Sequence, residues 1–555
     1  MPGLGHGTGQ ETGQDAGQAS RADVVVVGAG HNALVAACYL AREGLAVEVV
    51  ERDTVLGGAV STVERFPGYR IDRGSSLHIM IRLTGIVEEL RLAECGLHYL
   101  DCDPWGFFPI AGAPGGGITF SVNLDRTCAS IEAVCGSRDA DAYRAFVTDW
   151  GARNERVFAA FAEPPTGRSL GRALWGTGRG TGLPGLELAR QFLMPGDALL
   201  DSLFDDERLK TALSWLGAQS GPPMTDSATA DLVGWNTMLH RQAPGRAVGG
   251  SGALSEALRK RLQSWGGTVS LGDAVTAIEV RGGRAAGVLT ASGRRIRARA
   301  VLAGCHVLTT HQLLGGALTT RAAARTRDIR VGDGLGMILR LGTTAPPVYP
   351  GAPVEAGHGM VLAVPDRAAL RLAHGEFGAG RTPTAPPVLV MTPSLLDPTL
   401  APADRHTVSV WAQWYPYELA GGRSWDDERK RVAETILAEV DRVAPGLTSS
   451  IEHLHVQTPR DLERELGLLR GNVMHVEMTL DAMFAWRPLP ELAGYRGPVE
   501  GLYLCGASTH PGGGVFGASG RSSARVLLRD LAGRRGRLAG AARRAAHALP
   551  GVGAA

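Results

Sequence analysis

Residues 24–58, VVVVGAGHNALVAACYLAREGLAVEVVERDTVLGG, constrain the fold of this chain more than any other stretch. A run of four valines predicts a buried parallel strand, and the apolar spacing that follows predicts an amphipathic helix. Gly28 and Gly30 stand between the two, and a second apolar run is followed by Glu51. This order predicts a Rossmann-type βαβ unit with a glycine turn, and therefore an α/β fold.

The residues of this glycine turn have physical roles in binding a dinucleotide. Gly28 permits the tight turn, Gly30 leaves space for a pyrophosphate, and Ala33 lets the helix pack closely on the sheet. The N-terminus of the helix offers unpaired N–H groups to the phosphates. Glu51 follows Gly30 by 21 residues, near the spacing of a carboxylate that binds ribose hydroxyls. The alternative is a plain βαβ crossover without a cofactor.

Two further glycine-rich segments extend the predicted site. Glu51-Arg52 is followed by Gly57-Gly58, a second close approach of backbone to ligand that nicotinamide-binding folds do not need. Residues 502–521, LYLCGASTHPGGGVFGASGR, predict a strand, a glycine-rich loop and a helix. The positive end of that helix suits the edge of a flavin that becomes negative on reduction. These segments favour FAD over a nicotinamide dinucleotide.

Length and composition set the class of the protein. A chain of 555 residues exceeds one simple core and predicts two domains. It is 44% hydrophobic and 20% charged, which is typical of a globular protein. The sequence contains no run of 18 apolar residues, so no membrane span is predicted. The net charge of +2 gives no electrostatic basis for nucleic-acid binding. Seven scattered cysteines without a CxxC pair indicate a reducing, cytoplasmic location and no metal site.

Both ends of the chain differ in composition from the rest. Residues 1–21 are rich in Gly, Gln, Thr and Ser and predict a disordered tail. Residues 533–555 predict a flexible basic tail, in which arginines stand among alanines. A peripheral contact of this tail with an anionic membrane surface stays open beside the simpler interpretation, a solvated helical segment.

The two terminal motifs resemble those of phytoene-desaturase-like flavoproteins, a branch of the amine-oxidase superfamily. Gly-His-Asn at 30–32, TPRDLERELGLLRGNVMHVEM at 458–478 and RPLPELAGYRGPVEGLYLCGA at 487–507 are similar to the pyridine nucleotide-disulfide oxidoreductase domain 2 subgroup. The resemblance implies a discontinuous Rossmann-type FAD-binding domain joined to an α+β substrate-binding domain. The implied segments are 22–105, 245–310 and 495–532 for the FAD-binding domain, and 106–244 and 311–494 for the substrate domain.

The resemblance also implies which residues contact the cofactor. Val275 is the implied backbone contact to the adenine, and Ala507 with Ser508 stands where many relatives carry an aspartate for the ribitol. The predicted FAD-binding residues are Gly28, Gly30, His31, Asn32, Ala33, Glu51, Arg52, Gly57, Gly58, Ala59, Val275, Gly506, Ala507, Gly514 and Val515.

Candidate catalytic side chains are few. FAD can accept a hydride from a substrate C–H bond, so the protein mainly has to place that bond and exclude water. No acid–base pair or nucleophile motif is visible. His510 in the C-terminal loop and His78 after an Arg-Gly-Ser-Ser turn are the candidates, as a base or as a substrate contact. A structural role is the alternative for both.

The predicted function is FAD-dependent dehydrogenation or desaturation of an apolar small molecule, such as an isoprenoid or a secondary metabolite. Because no second nicotinamide site is evident, oxygen or a quinone is the expected electron acceptor. Three alternatives stay open: an FAD amine or amino-acid oxidase, a redox-neutral flavin isomerase, and a non-catalytic binding protein of the GDP-dissociation-inhibitor type. The scarcity of lysine near either motif disfavours amine oxidation, and the intact glycine turn with its acid disfavours the non-catalytic alternative.

Overall fold

The computed structural model describes residues 20–167 and 185–547. Within this range two seven-stranded sheets and two two-stranded ribbons are formed. The strands are β1 (Ser20–Val27), β2 (Val47–Val50), β3 (Thr62–Phe66), β4 (Tyr69–Asp72), β5 (Tyr99–Asp101), β6 (Gly106–Pro109), β7 (Gly117–Phe120), β8 (Gly245–Ala247), β9 (Thr268–Ser270), β10 (Val275–Arg281), β11 (Arg284–Thr290), β12 (Arg295–Ala303), β13 (Gly334–Thr343), β14 (Met360–Ala363), β15 (Val388–Met391), β16 (His406–Pro416), β17 (Ile451–Gln457) and β18 (Leu502–Leu504).

Helices cover both large sheets, and short 3₁₀ turns join many of the elements. The α-helices are α1 (His31–Arg42), α2 (Ile86–Glu89), α3 (Leu124–Cys135), α4 (Ser137–Phe161), α5 (Gly185–Leu193), α6 (Gly196–Leu203), α7 (Glu207–Ala218), α8 (Ala230–Gly234), α9 (Gly252–Ser264), α10 (Val307–Leu314), α11 (Thr320–Arg325), α12 (Arg367–Gly378), α13 (Trp425–Val443), α14 (Pro459–Leu466) and α15 (Ala518–His547).

The first sheet contains the predicted βαβ unit. Its order is β10-β11-β12-β1-β2-β9, and β18 pairs with β12 beside β11. Strands β9, β2, β1, β12 and β18 run parallel, so their carboxyl ends lie at one edge of the sheet. Helix α1 is buried from Asn32 to Ala41 because it packs against this sheet, α9 and α15. The predicted α/β class with a Rossmann-type unit is confirmed.

The second sheet has the order β17-β13-β16-β15-β14-β6-β7 and is mostly antiparallel. Strand β13 is buried at every residue, because side chains on its two faces enter different cores. Met337, Leu339 and Leu341 pack with α13 on one face, whereas Ile338 on the other face packs with Leu462 and Leu468.

Strand membership divides the chain into discontinuous parts. The first sheet is built from segments 20–50, 268–303 and 502–504, and the second from segments 106–120 and 334–457. On this basis we retain as a proposal the division into a cofactor domain and a substrate domain at the predicted boundaries.

The N-terminal tail is predicted two residues too long. Strand β1 begins at Ser20, where the backbone of Ser20 and Arg21 extends the parallel pairing with β12, so the N-terminal tail cannot reach residue 21. Helix α15 runs to His547, because alanine and arginine have high helix propensity, so residues 533–547 agree with the helical interpretation of the basic tail. Residues 1–19 and 548–555 lie outside the described part of the chain. None of the helices in that part is long and apolar enough to cross a membrane.

Candidate functional site

A cavity of ≈ 440 Å³ opens at the carboxyl edge of the parallel strands. The loops after β1, β2, β12 and β18 supply Gly28, Glu51, His306 and Gly506 to its wall. This edge is where open α/β sheets bind their ligands. The cavity brings together all but two of the predicted cofactor contacts: Gly28, Gly30, His31, Asn32, Ala33, Glu51, Arg52, Gly57, Gly58, Ala59, Val275, Gly506 and Ala507.

The glycine turn presents free hydrogen-bonding groups to this cavity. Helix α1 begins at His31 with Gly30 as its N-cap, and no side chain caps its first N–H groups. The position of a Cβ on Gly30 has no atom within 4 Å, which leaves the space that a close ligand needs. These features fit the pyrophosphate of a dinucleotide.

The carboxylate of Glu51 is held by backbone at the end of β2. It is 8% exposed, and its oxygens accept hydrogen bonds from Ala29 N at 2.6 Å and Asp53 N at 2.9 Å. Each oxygen keeps a second lone pair, so the carboxylate can still accept from ribose hydroxyls. The guanidinium of Arg52 lies against Gly467 across the cavity. The arrangement therefore fits a nucleotide lying between the first sheet and the loop after α14.

Two predicted contacts, Gly514 and Val515, do not line the cavity. Both precede α15 in the glycine-rich loop, and both have a positive φ, +110° for Gly514 and +57° for Val515. Val515 is buried in the core around α1, whereas Gly514 remains exposed beside Met80 and Phe516. Their contact with a cofactor stays a prediction.

Two histidines stack on each other in the cavity wall. His306 follows β12, and its Nδ1 accepts a hydrogen bond from Leu308 N, so its Nε2–H donates to the carbonyl of His475 at 2.9 Å. The rings of His306 and His475 are 5.2 Å apart at 24°. Nδ1 of His475 lies 3.2 Å from Ser508 Oγ. Burial lowers the pKa of His306 to about 4 and that of His475 well below its usual value, so both rings are neutral at pH 7.

The backbone of His475 is in an unusual conformation. Its φ of +66° is rare for a residue that is not glycine, and such strain persists only where surrounding contacts enforce it. Two contacts hold this backbone. The carbonyl of His475 accepts a hydrogen bond from Nε2–H of His306, and the N–H of His475 donates to the carbonyl of Asn472 at 3.0 Å. With Nδ1 beside Ser508 and the ring in the cavity wall, Nε2 is the atom left for a ligand.

The structure gives His78 a supporting role rather than a catalytic one. Its Nδ1 is 2.7 Å from Tyr99 Oη, and its Nε2 is 2.8 Å from Ser251 Oγ. Both ring nitrogens are thus occupied by hydroxyl groups, and the side chain is 1% exposed and outside the cavity wall. Burial lowers the pKa of His78 to about 3, which keeps the ring neutral. His78 therefore ties β5 to the start of α9.

His510 lies inside an aromatic cluster beside the C-terminal loop. It is fully buried, its ring is 5.7 Å from Phe161 and 6.0 Å from Phe484, and its Nε2 is 3.4 Å from Ala160 O. Its Nδ1 has no hydrogen-bond partner among the described residues, and burial lowers the pKa of the ring to about 4. Contact with a substrate stays a prediction for this residue.

Sequence patterns missed part of the cavity wall. His306 could have been found, because it directly follows a strand parallel to β1, at the ligand-binding edge. The end of α14 and the loop after it could not have been found. They supply Glu463, Glu465 and residues 466–469 to the cavity wall, but they follow a strand of the second sheet and carry no local pattern that indicates a ligand.

Two family models match parts of this chain, and several known proteins resemble it over most of its length. A family model described as NAD(P)-binding Rossmann-like domain matches residues 26–90, and one described as flavin containing amine oxidoreductase matches residues 186–325. The chain is 32% identical over 545 residues to pyridine nucleotide-disulfide oxidoreductase domain-containing protein 2 of Rattus norvegicus, covering 92% of this chain and 94% of that protein. It is 29% identical over 505 residues to phytoene dehydrogenase of Streptomyces griseus, covering 89% and 92%. Wild-type putrescine oxidase bound to putrescine shares the fold, with a TM-score of 0.58, 16% identity and coverage of 93% and 100%.

Proposed function

The chain belongs to the pyridine nucleotide-disulfide oxidoreductase domain 2 family, and we propose that it is an FAD-dependent dehydrogenase or desaturase of an apolar small molecule. The resemblance to phytoene-desaturase-like flavoproteins of the amine-oxidase superfamily is confirmed, and the protein is a flavin-type oxidoreductase. FAD, the substrate class and the electron acceptor are the parts that we propose.

The observation that carries the proposal is the junction of both chain ends at one cavity. The glycine turn and Glu51 supply the groups for a pyrophosphate and a ribose, and Val275 lines the same wall. Gly506 and Ala507 arrive from the C-terminal strand β18. This arrangement supports a long dinucleotide such as FAD. When bound there, FAD supplies a hydride acceptor.

The surroundings of the C-terminal loop support an apolar substrate. The aromatic rings of Phe161 and Phe484 contact His510, Phe516 packs on Phe161, and Met474 and Met478 contact the glycines of the same loop. We take these apolar surroundings as support for an apolar ligand beside the loop, and methionine can adapt its shape to one. None of the three lysines of the chain lines the cavity, which gives amine oxidation no support here.

A further glycine-rich segment, Gly-Gly-Ser-Gly at 249–252, precedes α9 but does not form a nicotinamide site. Its N–H groups are already bound by protein side chains: Gly249 N by Asp397, Ser251 N by Asp72 and Gly252 N by Thr62. This supports the proposal that a small acceptor, oxygen or a quinone, reoxidises the cofactor.

Cofactor content and anaerobic bleaching test the proposal. We expect purified protein to be yellow and to release FAD, identified by mass spectrometry, on denaturation. Under anaerobic conditions an isoprenoid or related apolar substrate should bleach the flavin, and oxygen or a quinone should restore the colour. A colourless protein that FAD does not reconstitute would overturn the proposal. Turnover only after prior flavin reduction would favour an isomerase, and bleaching by amines with peroxide release would favour an oxidase.

A further inference from the structure

Arg487 is a buried cation next to the proposed cofactor cavity. It is 0% exposed and lies between the segment 474–482 and the loop after β18. Two of its hydrogen bonds reach the carbonyl of Ala507, at 3.1 Å from Nε and 2.7 Å from Nη2. The others, at 2.6–3.2 Å, reach the carbonyls of Met474, Val476, Glu477 and Ala482.

No carboxylate of the described residues forms an ion pair with this guanidinium. Its five N–H donors are all directed at backbone carbonyls, so the charge is stabilised by dipoles alone. Burial lowers its pKa to about 9, which leaves it protonated at neutral pH. The histidines that feel its charge, His306, His475 and His510, all have pKa values lowered by burial and are neutral. Arg487 therefore has no directly contacting counter-ion among the described residues.

A buried charge without a counter-ion is costly, and that cost falls when an anion comes close. Ala507, which accepts two bonds from Arg487, lines the cavity together with His475. A charge acts over longer distances in the protein interior than in water, because the effective dielectric constant is lower. Arg487 can therefore act on a ligand in the cavity although it has no N–H left to touch one.

We infer that Arg487 is a positioning residue whose positive charge favours reduction of the cofactor bound in this cavity. The inference rests on the proposed function. A hydride brings two electrons and one proton, so the cofactor gains one negative charge while the second substrate hydrogen leaves as a proton. The field of Arg487 stabilises that negative charge, and its hydrogen bonds hold the 474–482 segment against Ala507.

The reduction potential of the bound flavin, measured without substrate, separates the effect of the positive charge of Arg487 from the effect of its hydrogen bonds. R487K keeps the charge but loses the planar fork, whereas R487M loses both. R340M is the matched control: Arg340 is 2% exposed and also bonds to uncharged groups, Ser76, Ser409, Gly74 and Gln457, none of which lines the cavity. The potential of each flavin-loaded variant is measured anaerobically against reference dyes during slow enzymatic reduction.

We expect the equilibrium constant for two-electron reduction to fall at least tenfold in R487M, about 30 mV, and to stay within about threefold of wild type in R487K and R340M. The dissociation constant of the sulfite adduct, which also places negative charge on the flavin, should rise at least tenfold in R487M alone. If R487M does not fold, R487Q replaces it, because glutamine is uncharged but keeps two N–H donors.

Equal potentials in R487K and R487M would overturn the inference and leave Arg487 a purely structural residue. An unchanged potential in R487M with full flavin occupancy would overturn it as well. Absence of bound flavin from the wild-type protein is a different outcome, because it would refute the proposed function before Arg487 is tested.

Discussion

Gly57 is the position in the cofactor wall where a single methyl group has the clearest expected effect. It follows Glu51 by six residues, its φ is +102°, and its N–H donates to Ala29 O at 3.1 Å in the glycine turn. A Cβ added there would overlap the carbonyl oxygen of Val60 and the side chain of Ser255, 2.8 Å from the Cβ of that serine. Gly57→Ala must therefore displace the segment that holds the glycine turn.

The size of the effect follows from two contributions. A positive φ costs an L-residue about 1–2 kcal/mol relative to glycine, and overpacking in a tight core costs about 1–3 kcal/mol. Gly57→Ala should thus destabilise the protein by about 2–5 kcal/mol. Gly44→Ala is the matched control, because Gly44 has φ +78° but no atom within 4 Å of its Cβ position. Gly44→Ala should therefore lower the free energy of unfolding only by the cost of the positive φ.

Two measurements check this reasoning. Urea denaturation of the three proteins should give midpoints in the order wild type, Gly44→Ala, Gly57→Ala. Titration of apoprotein with FAD should show at least tenfold weaker binding for Gly57→Ala only, because losing the bond to Ala29 costs about 1–3 kcal/mol. If the two alanine variants unfold at the same urea concentration and bind FAD equally, the close approach at Gly57 has no energetic importance and the argument fails.

Three further outcomes are expected. Glu51→Gln should weaken FAD binding about tenfold in fluorescence titration. The carboxylate accepts from two backbone N–H groups, and an amide has only one acceptor oxygen for them. Unchanged affinity would contradict this. Asparagine tolerates a positive φ, so His475→Asn should keep the fold but shift the absorption bands of the bound flavin. His78→Asn should lower the urea midpoint and leave those bands unchanged. Because burial lowers the pKa of His31, His306 and His510 to about 4 and of His78 to about 3, the unfolded chain binds more protons below pH 6.5. Stability should be full above that pH and be lost as the pH falls towards 4, and a urea midpoint equal at pH 7.5 and pH 5 would refute this.

The βαβ unit could be predicted because every part of its signal is local. A strand, a glycine turn, a helix and an acid follow one another within residues 24–51, so the pattern alone determines their contacts. The C-terminal motif was equally visible, and the parallel pairing of β12 with both β1 and β18 brings the two motifs to one edge. The end of the N-terminal tail was predicted less well, because composition does not show that backbone pairing begins at Ser20.

The rest of the candidate site depends on contacts between distant segments. The two oxygens that accept from Arg487 Nη2 most closely, those of Met474 and Ala507, belong to different parts of the chain, and nothing in an Arg-Pro dipeptide shows that they converge. The same holds for Arg52 and Gly467, which are more than 400 residues apart yet face each other across the cavity. Such pairs become visible only when the two sheets are in place.

His78 and His475 show why residue type alone could not identify which histidine lines the cavity. His78 follows a promising turn, yet Tyr99 and Ser251 occupy both of its nitrogens. His475 stands in a less distinctive context, yet Ser508 and His306 hold it in a strained backbone with its ring in the cavity wall. Because a neutral imidazole has only two hydrogen-bonding atoms, its chemistry is decided by how many of them the protein uses. The partner count therefore leaves one ring nitrogen of His475 open to a ligand, whereas both ring nitrogens of His78 are already used.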